Sequence, residues 1–284
     1  MNTIKLKVSD HSREIAGFRY VYPVLSRRAG GVSVGINLNV NNACNWRCIY
    51  CQVPDLKLGS APQIDLVLLE YELRELLLEL LHGDFMQNSV PEDERRINDI
   101  ALSGNGEPTS AKEFLQVIQL AVKLQVELSL PPHVKLILIT NGSLLHRQHV
   151  QQGIKLMAQH RGEVWFKLDR ASVLGMNQVN NSKQSLEKVS KNLEISTVSC
   201  PTWLQTCWFE NDNLPPGNQE EDDYLDFLSK LIKKNIRLQG VHLYSIARPS
   251  MQAEASHLGA MSRTQLEIFA DRIRLLGITV RVSV

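Results

Sequence analysis

The sequence predicts an α/β fold built as an open (β/α)6 arc of parallel strands, and three observations carry that expectation. Strand-like and helix-like segments alternate from Val32 to the C-terminus, giving six strand–helix units in succession. Val134–Thr140 (VKLILIT) is a nearly continuous run of β-branched residues and leucines, as in a parallel strand buried on both faces. Six units are too few to close an eight-fold barrel, and successive parallel strands are joined by right-handed crossovers.

The elements follow in order. Val32, Val34, Ile36, Leu38 and Val40 repeat at period two, which reads as a strand over 32–40. Ile64–Leu81 carries Leu, Glu and Arg at helical spacing, with Asp65 placed as its cap. Pro91 and the charges from Glu92 to Arg95 read as a surface loop. Asn98–Ser103 is expected as a strand, Ala111–Leu128 as a helix, Leu145–His160 as a helix and Glu163–Asp169 as a strand. Lys183–Leu193 reads as a helix, Thr202–Trp208 as a strand, Glu220–Asn235 as a helix and Arg237–Ile246 as a strand. Ser262–Leu276 is a helix that Gly277 stops, and Ile278–Val284 an extra strand. Asn211–Asn218, with Pro215, Pro216 and Gly217, reads as a loop and not a linker. A single domain over 1–284, with its core at about 32–246, is therefore expected.

Composition narrows the function. Of the 284 residues, 43% are hydrophobic and 21% charged, the proportions of an ordinary globular protein. A net charge of +1 gives no support for a strong phosphate-backbone binder. The longest apolar stretch, Asp65–His82, is interrupted by Glu70, Glu72, Arg74, Glu75 and Glu79, whereas a bilayer span needs about 20 mostly apolar residues. The start, MNTIKLKVSDHSREIAG, lacks the apolar centre of a secretory signal. A cytoplasmic location is expected, where thiols stay reduced and clustered cysteines read as metal ligands before disulfides.

The first expected strand runs directly into NNACNWRCIYC. Cys44 and Cys48 are separated by three residues, Cys48 and Cys51 by two. So short a loop can curl three thiolates around one compact inorganic core, and thiolates are the usual ligands of iron–sulfur clusters. Three ligands leave one iron of a 4Fe–4S cube open. A structural zinc site would need a fourth closed ligand. The segment has none, and His11 and His82 are the nearest histidines, but a distant donor such as Cys200, Cys207 or a histidine stays open as an alternative.

Further candidates stand at later strand ends. In Ser103-Gly104-Asn105-Gly106-Glu107-Pro108 the glycines allow positive φ and close backbone approach to a ligand. Pro108 holds Glu107 extended, and a carboxylate there can accept hydrogen bonds from an ammonium group. Thr140-Asn141-Gly142 closes the next strand, although Asn-Gly is a turn signal by itself. In WFKLD, alternation puts Lys167 and Asp169 on one face, toward a ligand inside the arc or toward each other as a structural ion pair. Gln205, Cys207, His242, Tyr244 and Arg248 lie where they could face a substrate, or belong to the core or rim.

Cys44, Cys48, Tyr50 and Cys51 resemble the Cys-x3-Cys-x-aromatic-Cys loop of the radical S-adenosylmethionine (SAM) superfamily, and the resemblance covers about Val32 to Ile246. It implies a partial TIM-like barrel with cluster and cofactor at the C-terminal strand ends. It implies further that Cys44, Cys48 and Cys51 hold a 4Fe–4S cluster whose open iron chelates the amino and carboxylate groups of SAM, and that Tyr50 packs beside the adenine. The turn Gly104-Asn105-Gly106-Glu107 is similar to the family's Gly-Gly-Glu motif for the methionyl amino group, with Asn105 replacing the second glycine. Thr140, Asn141, Lys167 and Asp169 are implied as further cofactor contacts. The reduced cluster would cleave SAM to methionine and a 5′-deoxyadenosyl radical, which abstracts hydrogen from a substrate. An external one-electron donor of the flavodoxin or ferredoxin type would be required.

Within the superfamily, GINLNVNNACNWRCIYC, SGNGEPT and WFKLD look most like the iron–sulfur oxidoreductases that include the wyosine-forming tRNA enzymes. Their additional cysteines are missing and the chain is not basic, so a small-molecule substrate is expected ahead of a nucleic acid or peptide. A glycyl-radical activase, acting on a partner protein, is a third reading. The reading from another class is an iron–sulfur electron-transfer or binding protein that cleaves no cofactor.

Overall fold

The structure, a computed structural model, describes Leu6, residues 17–26 and residues 30–284. The N-terminal segment read above for a secretory signal, with His11, therefore lies outside the described residues except for Leu6 and Gly17. Among the described residues, one sheet of eight strands organises the chain. These are β1 (Val21–Leu25), β2 (Val32–Ile36), β3 (Ile97–Leu102), β4 (Lys135–Thr140), β5 (Glu163–Lys167), β6 (Thr202–Cys207), β7 (Gly240–Tyr244) and β8 (Val280–Ser283). Their order in the sheet is their order in the chain. β1 pairs antiparallel with β2, and every later neighbour is parallel.

Helices α1 (Leu66–His82), α2 (Phe85–Ser89), α3 (Phe114–Glu127) and α4 (Gln148–Gln159) serve the first half. Helices α5 (Val173–Asn180), α6 (Leu186–Ser199), α7 (Asn218–Lys233) and α8 (Arg263–Arg274) follow. The six expected units are β2 to β7 with their helices, the extra strand is β8, and the whole is a partial TIM-like barrel with parallel strands. No helix among the described residues is long and apolar enough to cross a membrane.

Alternation sorts the two faces of the sheet. Val34 and Ile36, Ile100 and Leu102, Leu136 and Leu138, and Val241 and Leu243 join helix residues such as Leu73, Phe114, Ile154 and Phe269 in the main apolar core. Burying each such side chain contributes about 1.5–3 kcal/mol. On the other face Ala101, Ile137, Trp165 and Trp203 form a separate cluster. The His242 ring sits against Trp165 at 4.6 Å and Trp203 at 4.5 Å, so of the two places open to it in the sequence reading, substrate face or core, this histidine takes the core.

Several boundaries differ from the sequence reading for physical reasons. The strand expected over 32–40 ends at Ile36, because the Asn37 carbonyl oxygen Oδ1 accepts the Asn39 amide at 3.1 Å and turns the chain out of the ladder. Leu38 stays buried all the same. β5 ends at Lys167, leaving Asp169 in the following loop. β1 and α5 have no counterpart in the sequence reading. Phe209–Asn211 pairs with Leu258–Ala260 in a small antiparallel ribbon, so the loop expected from Asn211 begins inside a strand.

Asp65 does cap α1, accepting the Val67 amide at 3.1 Å and the Leu68 amide at 3.0 Å. Asp65→Ala should cost about 1 kcal/mol of stability. Guanidinium unfolding followed by circular dichroism measures it, and an unchanged midpoint with unchanged slope would show that the cap contributes nothing.

Candidate functional site

The C-terminal ends of the strands open into a cavity of about 330 Å³. Cys44, Cys48, Cys51 and Tyr50 line it from the loop after β2. Residues 104–107 line it after β3, Thr140 and Asn141 at the end of β4, and Lys167 at the end of β5. Cys207, Tyr244 and Arg248 complete the rim. Asp169 and Gln205 are buried behind these residues.

The cysteine loop has almost no regular structure, so its peptide groups need partners elsewhere. The end of α5 supplies some: Arg47 N–H donates to the Asn180 carbonyl at 3.3 Å, and Ile49 N–H to that of Val179 at 2.9 Å. Asn181 Nδ2 returns a bond to the Arg47 carbonyl at 2.8 Å. Asn45 accepts from Asn141 Nδ2 and donates to Ser143 Oγ, both at 2.8 Å, tying the loop to the end of β4. From the far end of the chain, Ser250 Oγ donates to the Ile49 carbonyl at 2.7 Å. Met251 N–H and Gln252 Nε2 donate to the Cys51 carbonyl at 2.9 and 3.3 Å. Arg47 and Glu254 close the latch with two bonds, of 2.9 and 2.5 Å.

The turn after β3 packs directly on this loop. A Cβ on Gly106 would lie 2.0 Å from the Ala43 carbonyl oxygen. Gly104 has φ +152°, and a Cβ there would meet Asn37 Oδ1 at 2.4 Å. Glu107 is buried, and burial pushes its carboxyl above the usual range, opposed by four donors. Its Oε1 accepts from Thr109 N at 3.1 Å, Thr109 Oγ1 at 2.5 Å and Thr140 Oγ1 at 2.6 Å, and its Oε2 from Asn141 N at 2.7 Å. Asn105 Oδ1, by contrast, is buried without a hydrogen-bond partner, while its Nδ2 donates to Asn42 Oδ1 at 2.5 Å.

Lys167, Tyr50 and Asp169 meet as a network in which tyrosine bridges the ion pair. Lys167 Nζ donates to the Tyr50 hydroxyl, lies 3.6 Å from Asp169 Oδ2 and sits 4.8 Å from the tyrosine ring centroid. Tyr50 donates to Asp169 Oδ2 at 2.6 Å, and the Cys207 N–H to Oδ1 at 2.9 Å. Burial, and then the Asp169 charge, push the Tyr50 phenol well up. Burial, the largest single influence, pulls the Lys167 ammonium down, but Asp169, Tyr244, Cys48 and Cys207 together outweigh it and raise the group well above its ordinary value.

All five cysteines are free thiols. Burial pushes Cys44 and Cys48 up to about 12, so a cation must compensate before they act as thiolates; a coordinating thiol is deprotonated outright. Among the described residues no three His, Cys, Asp or Glu side chains are gathered to hold a metal ion. The thiols of Cys44, Cys48 and Cys51 line one cavity together. Sequence reasoning missed Asn180, Ser250, Gln252 and Glu254. Asn180 ends a helix without a periodic signal, and the others reach the loop from about 200 residues away.

No protein-family model matches the chain. The UPF0026 proteins of two Helicobacter pylori strains are 32% and 29% identical over 232 residues, 80% of this chain. The chain covers 66%, just under two thirds, of each. Among solved structures, SuiB of Streptococcus suis bound to S-adenosylmethionine superposes with a TM-score of 0.58 at 10% identity, over 90% of this chain and 50% of that one. A radical SAM methyltransferase from Sphaerobacter thermophilus gives 0.51 at 14% identity, over 89% and 66%. The chain has the fold of these radical SAM enzymes.

Gly106→Ala should lower stability by about 1–3 kcal/mol, because the methyl group must displace the backbone at Ala43. Thermal unfolding monitored by circular dichroism reads the loss. An unaltered transition would mean that the two loops are not in the contact described.

Proposed function

We propose that the chain is a radical SAM enzyme in which Cys44, Cys48 and Cys51 hold a 4Fe–4S cluster through three of its irons. The observation that carries this reading is the cavity itself: three free thiols from one short loop line it together with the turn of residues 104–107. When bound, such a cluster supplies the electron that cleaves SAM and releases a hydrogen-abstracting 5′-deoxyadenosyl radical.

The chain's own groups are suited to hold SAM. Asn105 Oδ1 offers an acceptor for the methionyl ammonium group, and Glu107 a fixed negative charge nearby. Four bonds keep that carboxylate from swinging, so it acts as a preorganised counter-charge. Lys167 presents a cation to the methionyl carboxylate or the ribose hydroxyls, with Asp169 holding it in place. Thr140 and Asn141 border the same space, and Tyr50 offers its ring to the adenine. The inner wall, where Tyr22, Ser33, Asp99 and Trp165 line the cavity, is left for a small-molecule substrate. The electron comes from a flavodoxin- or ferredoxin-type donor, and free thiols suit a reducing cytoplasm.

The test is anaerobic reconstitution with iron and sulfide, reduction by dithionite, and incubation with SAM. Formation of 5′-deoxyadenosine is expected, and Cys44→Ala, Cys48→Ala or Cys51→Ala should each reduce it by more than about 100-fold, the order lost when a catalytic group is removed. An intact cluster that yields no 5′-deoxyadenosine would leave an electron-transfer protein, and zinc without iron a structural module.

A further inference from the structure

Asn180 stands at the end of α5, buried, with its amide aimed at the cysteine loop. Its Nδ2 lies 3.2 Å from Cys48 Sγ and 2.7 Å from Asp169 Oδ2. Both neighbours act as acceptors once the thiol is a ligand, so the amide has one sensible orientation: each of its two N–H bonds takes one of them. Asp169 is fixed in turn by the Cys207 amide and the Tyr50 hydroxyl. The amide therefore cannot rotate to present its oxygen to the sulfur without breaking a bond to a buried carboxylate.

We infer that Asn180 is a positioning residue that sets the reduction potential of the cluster through Cys48; the inference rests on the cluster reading above. An N–H donated to a ligand sulfur draws electron density from it and favours the more negative, reduced state, and such bonds are among the determinants of cluster potential. The same side chain links that sulfur to the Lys167–Tyr50–Asp169 network beside the cavity.

The experiment compares the wild-type chain with Asn180→Leu after anaerobic reconstitution. Iron and sulfide are counted first, and the midpoint potential is then measured by titration monitored by electron paramagnetic resonance, without SAM. The potential should fall in Asn180→Leu, which removes the donor to Cys48, with the iron content unchanged. Equal potentials in the two proteins would overturn the inference and leave the cluster reading standing. A wild-type chain that takes up no iron would overturn both. Because a buried substitution can cost folding, the wild-type chain labelled with 15N in its asparagine side-chain amides supplies a check without variants. A 15N hyperfine coupling in the reduced cluster supports the bond to Cys48, and its absence removes it.

Discussion

Three thiols face one space from a loop that, beyond the short pairing of Ala43–Cys44 with Lys57–Leu58, belongs to no sheet or helix of its own, and this constraint organises the site. The loop carrying Cys44, Cys48 and Cys51 finds its partners in asparagines, in the end of α5 and in the chain around 250–254. Asparagine suits the task because it offers both a donor and an acceptor on a short stem. Asn37, Asn39, Asn42, Asn45, Asn141 and Asn180 each bond within or across these loops. Gly104 and Gly106 meet the same need differently, letting one loop lie against the other with no side chain between them.

Electrostatics follow from that enclosure. The cavity wall holds a buried carboxylate at Glu107, held by neutral donors, and the Lys167 ammonium, which lies 3.6 Å from the buried Asp169. Unpaired charges in such a place would be costly. Their fixed partners make them directional, so a zwitterionic ligand would meet opposite charges on two sides of the space.

The sequence made the fold legible because the strands are the repeating part. Period-two runs such as Val32–Ile36 and the continuous apolar run at Val134–Thr140 announce parallel strands, and Asp65 and Ser262 mark helix starts. β1 escaped because VYPVL shows no apolar–polar alternation and carries Pro23, which reads against a strand. α5 escaped because its turn is short and mixes glycine, asparagine and methionine. In the site, local spacing exposed the cysteines, the 104–107 turn and the Lys167–Asp169 pair. It could not expose Asn180 or Ser250, whose meaning depends on a contact partner far away in the chain.

The latch from residues 250–254 has a consequence for how the molecule is made. Ser250 reaches Ile49 across 201 positions, and Glu254 reaches Arg47 across 207. Contacts of such separation form late, since the ends of a long loop must be brought together first. A ribosome therefore exposes the thiols long before it exports their fastening. Until residues 250–254 have emerged, the loop that carries the thiols lacks the bonds that fasten it.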